Sequence, residues 1–304
     1  MTDATAVADY VRARRAEVDA LLWDLLPGPP DCPLSLAEAM RYSLTAGGKR
    51  LRPVLCLASA DAVHGDREAV LPAACAIELI HTYSLIHDDL PAMDDDSMRR
   101  GRPTLHVVAG EGMAILAGDG LLTEAFHVLA GVNGDPGRVL RAIQLIAAAA
   151  GPVGMVGGQV IDLASVAPNL QDRAASPLDA DGLAAMHAKK TGALIRAAAA
   201  VGAVLGGGDE AQIAAIDTAG AEFGLAFQIV DDILDVEGDA AELGKSPGKD
   251  AAAGKPTYPA FYGIDQSRAM ANACIARASE ALADAGLGES WLLGIGRWIV
   301  ERRN

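Results

Sequence analysis

The chain has 304 residues, 51% of them hydrophobic but only 4% aromatic, and a formal net charge of −15. That charge argues against nucleic acid or an anionic membrane as a partner, yet leaves room for a small anionic substrate held through divalent cations. The length admits two domains or one, and an alanine-rich core without alternating strand patterns favours one all-α domain over residues 1–304.

In chain order, residues 3 to 26 read as an amphipathic helix closed by the PGPPDCP loop at 27 to 33. This N-terminus carries no apolar signal core, and Cys32, Cys56, Cys75 and Cys274 are scattered without metal-site spacing. Both features suit a reducing, cytoplasmic setting. A helix over 34 to 46 is expected to stop at Gly47-Gly48, a C-terminal cap signal. Next come Lys49, Arg50 and Arg52, the densest basic group of the first 90 residues, with Pro53 suited to the first turn of the following helix. By itself this corner fits an ion-paired helix end as well as a phosphate grip.

Helices are expected over about 53 to 63 and 67 to 90. The second runs into HTYSLIHDDLPAMDDDSMRRGR, residues 81 to 102, with five aspartates in the nine residues from Asp88 to Asp96. Two carboxylates about 4 Å apart repel by about 4 kcal/mol at an effective dielectric of about 20, so such a cluster is either solvated or held by cations. Pro91 breaks the helix, and the short PAM insert lets Asp94 fold back toward Asp88. Oxygen donors without nearby Cys suit a hard cation, Mg²⁺ before Zn²⁺. His81 lies two turns deeper on nearly the same face as Asp88. Arg99 and Arg100 are placed either to pair with these acids or to clamp phosphate oxygens.

Further helices are expected over about 109 to 131, 136 to 150, 153 to 164 and 181 to 205. The apolar run from Ile143 to Val156 is too short for a bilayer and contains Gly151 and Pro152, so no stable membrane insertion is expected. Gln159 and Asp162 share a helix face and are expected to support the site or brace Lys189 and Lys190, which precede Thr191 and Gly192. The helix over 211 to 238 carries FQIVDDILD, where Gln228, Asp231, Asp232 and Asp235 form a polar stripe on an apolar helix. Such a stripe is costly unless cations meet it. The following loop, with Lys245, Lys249 and Lys255, fails the P-loop spacing and reads as a basic lid. Last come helices over 265 to 286 and 288 to 302, then a basic tail. No motif for a Ser or Cys nucleophile and no HExxH is present. Two acidic clusters ringed by Lys and Arg are suited to gripping a diphosphate through Mg²⁺, with apolar helix walls for a hydrocarbon.

GGKRLRP, DDLPAMD with RRG, GGQVIDL, KTG and FQIVDDILD together resemble the trans-isoprenyl diphosphate synthases, above all the bacterial farnesyl diphosphate synthases (geranyltranstransferases), from about residue 34 to the C-terminus. The resemblance implies an isoprenoid synthase fold of antiparallel helices around a deep central cavity, a homodimer, and about three Mg²⁺ ions per site. It makes Asp88, Asp94 and Asp231 metal ligands. Lys49, Arg52, His81 and Arg100 would bind isopentenyl diphosphate. Arg99, Lys190, Thr191, Gln228, Lys245 and Lys255 would bind the allylic diphosphate, with Arg99, Lys190, Thr191 and Gln228 acting in catalysis. Tyr83 and Ser84, five and four residues before Asp88, would set the cavity floor and suggest the C15 product, (E,E)-farnesyl diphosphate, over C20 or C10. A class I terpene cyclase would carry a different second metal motif, an inactive regulatory subunit would lose one Asp cluster, and a Ca²⁺-binding scaffold would need no basic corner.

Overall fold

The computed structural model describes residues 4–166, 178–237 and 256–302. The chain runs α1 (Ala4–Leu25), α2 (Leu34–Leu44), α3 (Leu51–Ala62) and α4 (Arg67–Asp88). A hairpin follows, β1 (Met98–Arg99) with β2 (Arg102–Pro103), then α5 (Leu105–Ala109), α6 (Glu111–Ala130), α7 (Pro136–Ala150) and α8 (Met155–Val166). The second half holds α9 (Ala180–His187), a π-helical turn (Ala188–Gly192), α10 (Ala193–Leu205) and α11 (Glu210–Glu237). It closes with α12 (Tyr258–Tyr262), α13 (Ile264–Asp284) and α14 (Trp291–Glu301).

Local chemistry starts several of these helices. Asp66 accepts hydrogen bonds from the Glu68 and Ala69 amides at the head of α4, and Asp135 caps α7 beside Pro136. Two apolar clusters form the core. One packs α4 against α2 and α6, with α7 lying on α6 and α10, and the other packs α11 against α13 and α14. Helices α3 and α10 belong to both clusters, which requires them to be apolar on nearly every side. They approach so closely that a Cβ on Gly202 would come 2.7 Å from the Cys56 carbonyl carbon. Small residues make that approach possible, which is why alanine dominates the composition. By length and composition alone, α4, α6, α11 and the stretch Pro136–Ser165 are apolar enough to cross a membrane, but 67% of the α4 window is buried inside this fold.

The all-α expectation holds, with local corrections. Helix α2 ends at Leu44 rather than at Gly47-Gly48, and the two glycines instead shape the corner beyond it. The helix expected from 109 to 131 is found as Glu111–Ala130, set off by Gly110 from the short α5 before it, and that from 181 to 205 is broken by the π-turn. The β1–β2 pair was unforeseen because each strand is two residues long, too short for any alternation to register.

Candidate active site

The basic corner enters the site at the N-terminus of α3. Arg52 is 9% exposed, and its Nε is buried with no hydrogen-bond partner among the described residues. Burial pulls its guanidinium down to about 10 despite the attraction of Glu78 and Asp231, and Arg100 pulls the same way. Lys49 is exposed as a residue, yet its Nζ lies 5.9 Å from the Phe227 ring centroid. Partial desolvation there, then the Arg302 guanidinium, lowers its proton affinity. His81 is held well below its ordinary value by burial and by Arg52, Arg100, Arg99 and Arg50, so its imidazole is neutral near pH 7.

Arg100 reaches the same corner from the hairpin. The β1–β2 register pairs Arg99 with Arg102, leaving Arg100 and Gly101 as a two-residue loop with φ of 53° and 73°. Two positive φ values match the twist of a tight hairpin, and Gly101 takes one without strain. Arg100 takes the other while its Nη1 donates to the Gly47 carbonyl oxygen. Gly48 makes room for this, since a Cβ there would come 2.6 Å from the Arg100 guanidinium carbon.

At the mouth of α4, the Asp94 amide donates to the Asp88 carbonyl at 2.9 Å, so the loop does fold back as expected. The two halves of the Asp88-Asp89 pair diverge. Asp89 is buried and accepts from both Nε and Nη2 of Arg99 at 2.7 Å, with Asp96 3.7 Å from the same Nη2. Arg99 is therefore ion-paired within its own loop. The Asp88 carboxyl is pushed up to about 6 by burial and by Asp94 and Asp89, against the pull of Lys190 and Arg99.

Lys190 and Thr191 sit in the π-turn, which is clamped from two sides. A Cβ on Gly158 of α8 would lie 2.5 Å from Lys190 Cα, and one on Gly224 of α11 would lie 2.8 Å from Gly192 Cα. Lys190 Nζ donates to Asp162 Oδ2 at 2.5 Å, the brace read from the sequence. Gln159 instead leaves its Nε2 buried with no partner among the described residues. On α11, Gln228 lies four and Asp231 seven residues after Gly224, so both share the face that meets the π-turn.

The expected stripe on α11 does not survive intact. Asp232 turns into the core, accepting from the Tyr258 amide at 2.9 Å with His187 Nε2 3.6 Å away. Asp231 faces the site. Its Oδ1 accepts at 2.5 Å from Arg302, which also donates to the Phe227 carbonyl and lies over the Phe227 ring at 4.0 Å. The sequence leaves open whether the basic tail closes over the site, and Arg302 of that tail does reach Asp231. Lys245, Lys249 and Lys255 lie outside the described residues. Tyr83 is 7% exposed, with its ring edge-on to His87 at 5.7 Å, and Ser84 Oγ donates to the His81 carbonyl.

The two acidic motifs thus meet one set of basic groups: Asp88 is pulled by Lys190 and Arg99, Arg99 bears on Arg100, Arg100 on Arg52, and both Arg52 and Lys49 are drawn by Asp231. Among the described residues, no group of three His, Cys, Asp or Glu is close enough to hold a metal ion alone. The donors still fit a hard cation. They are carboxylates, and the raised Asp88 shows a partly buried acid short of positive charge. A cation here would complete its shell with water and substrate oxygens.

A family model described as polyprenyl synthetase matches residues 33–285. The chain is 46% identical over 277 residues to the heterodimeric geranylgeranyl pyrophosphate synthase large subunit 1, chloroplastic, of Arabidopsis thaliana, covering 90% of this chain and 73% of that one. It is 44% identical over 306 residues to a dimethylallyltranstransferase of Fischerella ambigua (strain UTEX 1903), covering 99% and 86%. Among solved structures, an FPP/GFPP synthase from Zymomonas mobilis superposes with a TM-score of 0.84 at 36% identity, over 98% of this chain and 100% of that one.

Proposed function

The chain belongs to the polyprenyl synthetase family, the trans-isoprenyl diphosphate synthases, and is a prenyltransferase of the all-α isoprenoid synthase fold; from that premise we propose that it joins isopentenyl diphosphate to dimethylallyl and geranyl diphosphates to make (E,E)-farnesyl diphosphate. One observation carries the reading. Lys49, Arg52, His81 and Arg100 are each disfavoured as cations, by burial first and then by neighbouring positive charge. A bound diphosphate relieves that repulsion.

In this mechanism the corner binds isopentenyl diphosphate, while Lys190, Thr191, Gln228 and Arg99 hold the allylic diphosphate. Asp88, Asp94 and Asp231 would hold Mg²⁺, which supplies charge neutralisation for the departing diphosphate. The lysines and arginines stabilise the leaving group as the allylic C–O bond breaks, and the apolar helix walls keep water from the cation. The isopentenyl double bond then attacks C1, and a proton leaves the adduct. His81, ringed by guanidiniums, is a poor proton acceptor, so the proton goes to the released diphosphate.

Tyr83 supports the C15 product. It is buried in the wall of the first apolar cluster five residues, about one and a half helical turns, below Asp88, where a growing chain would meet it. The name of the Arabidopsis relative favours C20 instead. Incubating the chain with isopentenyl diphosphate, each of the C5, C10 and C15 allylic partners and Mg²⁺, then separating the dephosphorylated alcohols, decides. Farnesol as the main product supports the reading, geranylgeraniol the C20 alternative, and a cyclic hydrocarbon would reject both. In the same assay Tyr83→Ala is expected to lengthen the product by at least one C5 unit; an unchanged length would acquit Tyr83 as the floor.

We place the enzyme in the cytoplasm as a single-domain homodimer. Val107, Val108, Ile115, Leu116 and Leu140 form exposed apolar positions on α5, α6 and α7 that a second copy would cover. Sedimentation equilibrium showing only monomer would remove that part.

A further inference from the structure

We propose that Arg50 is a positioning residue for isopentenyl diphosphate, holding the corner that aims Lys49 and Arg52 without touching substrate itself; this inference rests on the role given to that corner above. From its place between Lys49 and Arg52 in the sequence, Arg50 is as open to a phosphate grip as to an ion pair. The structure places it differently. Arg50 is 5% exposed, and all three sides of its guanidinium are taken by protein. Nε donates to Asp19 Oδ1 of α1 at 2.8 Å, Nη1 to Glu78 Oε1 of α4 at 2.7 Å, and Nη2 to the Leu44 carbonyl at the end of α2 at 2.6 Å. One side chain thus ties three helices to the start of α3. Its backbone has φ of 51°, a left-handed conformation that a non-glycine residue keeps only when its surroundings enforce it.

Two further features make this tie matter to the site. Glu78 is 1% exposed and lies one helical turn before His81 on α4, so the Arg50–Glu78 pair sets the distance between α3 and the face that bears His81. Packing alone does not hold the corner. A half-open pocket of about 320 Å³, lined by Asp19, Leu22, Leu44, Gly47 and Arg50 among others, borders it. With the tripod cut, the corner has both a reason to relax, its left-handed residue, and space to move into. Arg52 is buried with its Nε unpartnered among the described residues, so its aim depends on where this backbone corner holds it.

The test is steady-state kinetics on R50K, Glu78→Gln and Asp19→Asn, with folding checked by circular dichroism. R50K and Glu78→Gln are expected to raise KM for isopentenyl diphosphate about tenfold or more, leaving kcat and the allylic KM nearly unchanged. Asp19→Asn acts on the more exposed arm, so it keeps the fold and gives the same split more weakly. An isopentenyl KM unchanged in the folded variants, or equal losses for both substrates, would overturn the positioning role. A wild-type chain that makes no prenyl product would instead overturn the reading of the corner on which the inference rests.

Discussion

Asp88→Asn is expected to lower turnover by at least about a thousandfold while making the metal-free protein more stable. The loss follows from removing a carboxylate proposed to hold the cation that draws off diphosphate. The gain follows from the burial of that carboxylate. Its proton affinity moves from an ordinary 3.8 to about 6 on folding, so between those values the folded state binds more protons than the unfolded one. The contribution of this one group to stability is then greatest below pH 3.8 and is lost as the pH rises through about 6. Above pH 6 the charged Asp88 costs the metal-free fold about 3 kcal/mol, an amount that Asn does not incur. Urea unfolding in EDTA should show the variant ahead of wild type at pH 8 and level with it near pH 4. Mg²⁺ with diphosphate should then stabilise wild type and not the variant. A folded Asp88→Asn protein with wild-type rates would remove the metal assignment. Asp231→Ala should lose turnover similarly but without the stability gain, because it strips Arg302 of its carboxylate partner and leaves it only the Phe227 and Ile299 carbonyls.

Gly158→Ala carries the second large effect, and here a single methyl group acts on both fold and site. A Cβ at this position would overlap the Lys190 backbone nitrogen, and backbone cannot swing aside as a flexible side chain would. Overpacking of this kind costs about 1–3 kcal/mol. The displaced segment is the π-turn holding Lys190 and Thr191, so the allylic KM should rise about tenfold or more with the isopentenyl KM little changed. Gly65→Ala provides the control, since its Cβ would come 2.7 Å from the Gly206 carbonyl carbon beyond the far end of α3. It should lower Tm comparably and leave both KM values alone. Matching kinetics in the two variants would show that the α8 contact does not position the π-turn.

Much of the fold was legible because helix signals are local. Asp66, Asp135-Pro136 and the apolar spacing of α4 and α11 act over a few residues, and the chain obeys them. The π-turn was not legible, because the extra residue per turn at Ala188–Gly192 coincides with the clamp between Gly158 and Gly224, which lie 66 residues apart along the chain and on either side of the turn in space.

By itself the sequence determined the all-α class, the two acidic motifs, the basic corner and the family resemblance, since each is a matter of residue type at short spacing. Only the tertiary structure decided which member of each cluster faces the site. Asp89 and Asp232 turn inward to Arg99 and Tyr258 while Asp88 and Asp231 do not, Arg50 is consumed by Asp19, Glu78 and Leu44, and Arg302 arrives from the far end of the chain. Adjacent charges look alike in a sequence. Burial separates them, because each buried charge must find its own partner and that partner is supplied by another helix.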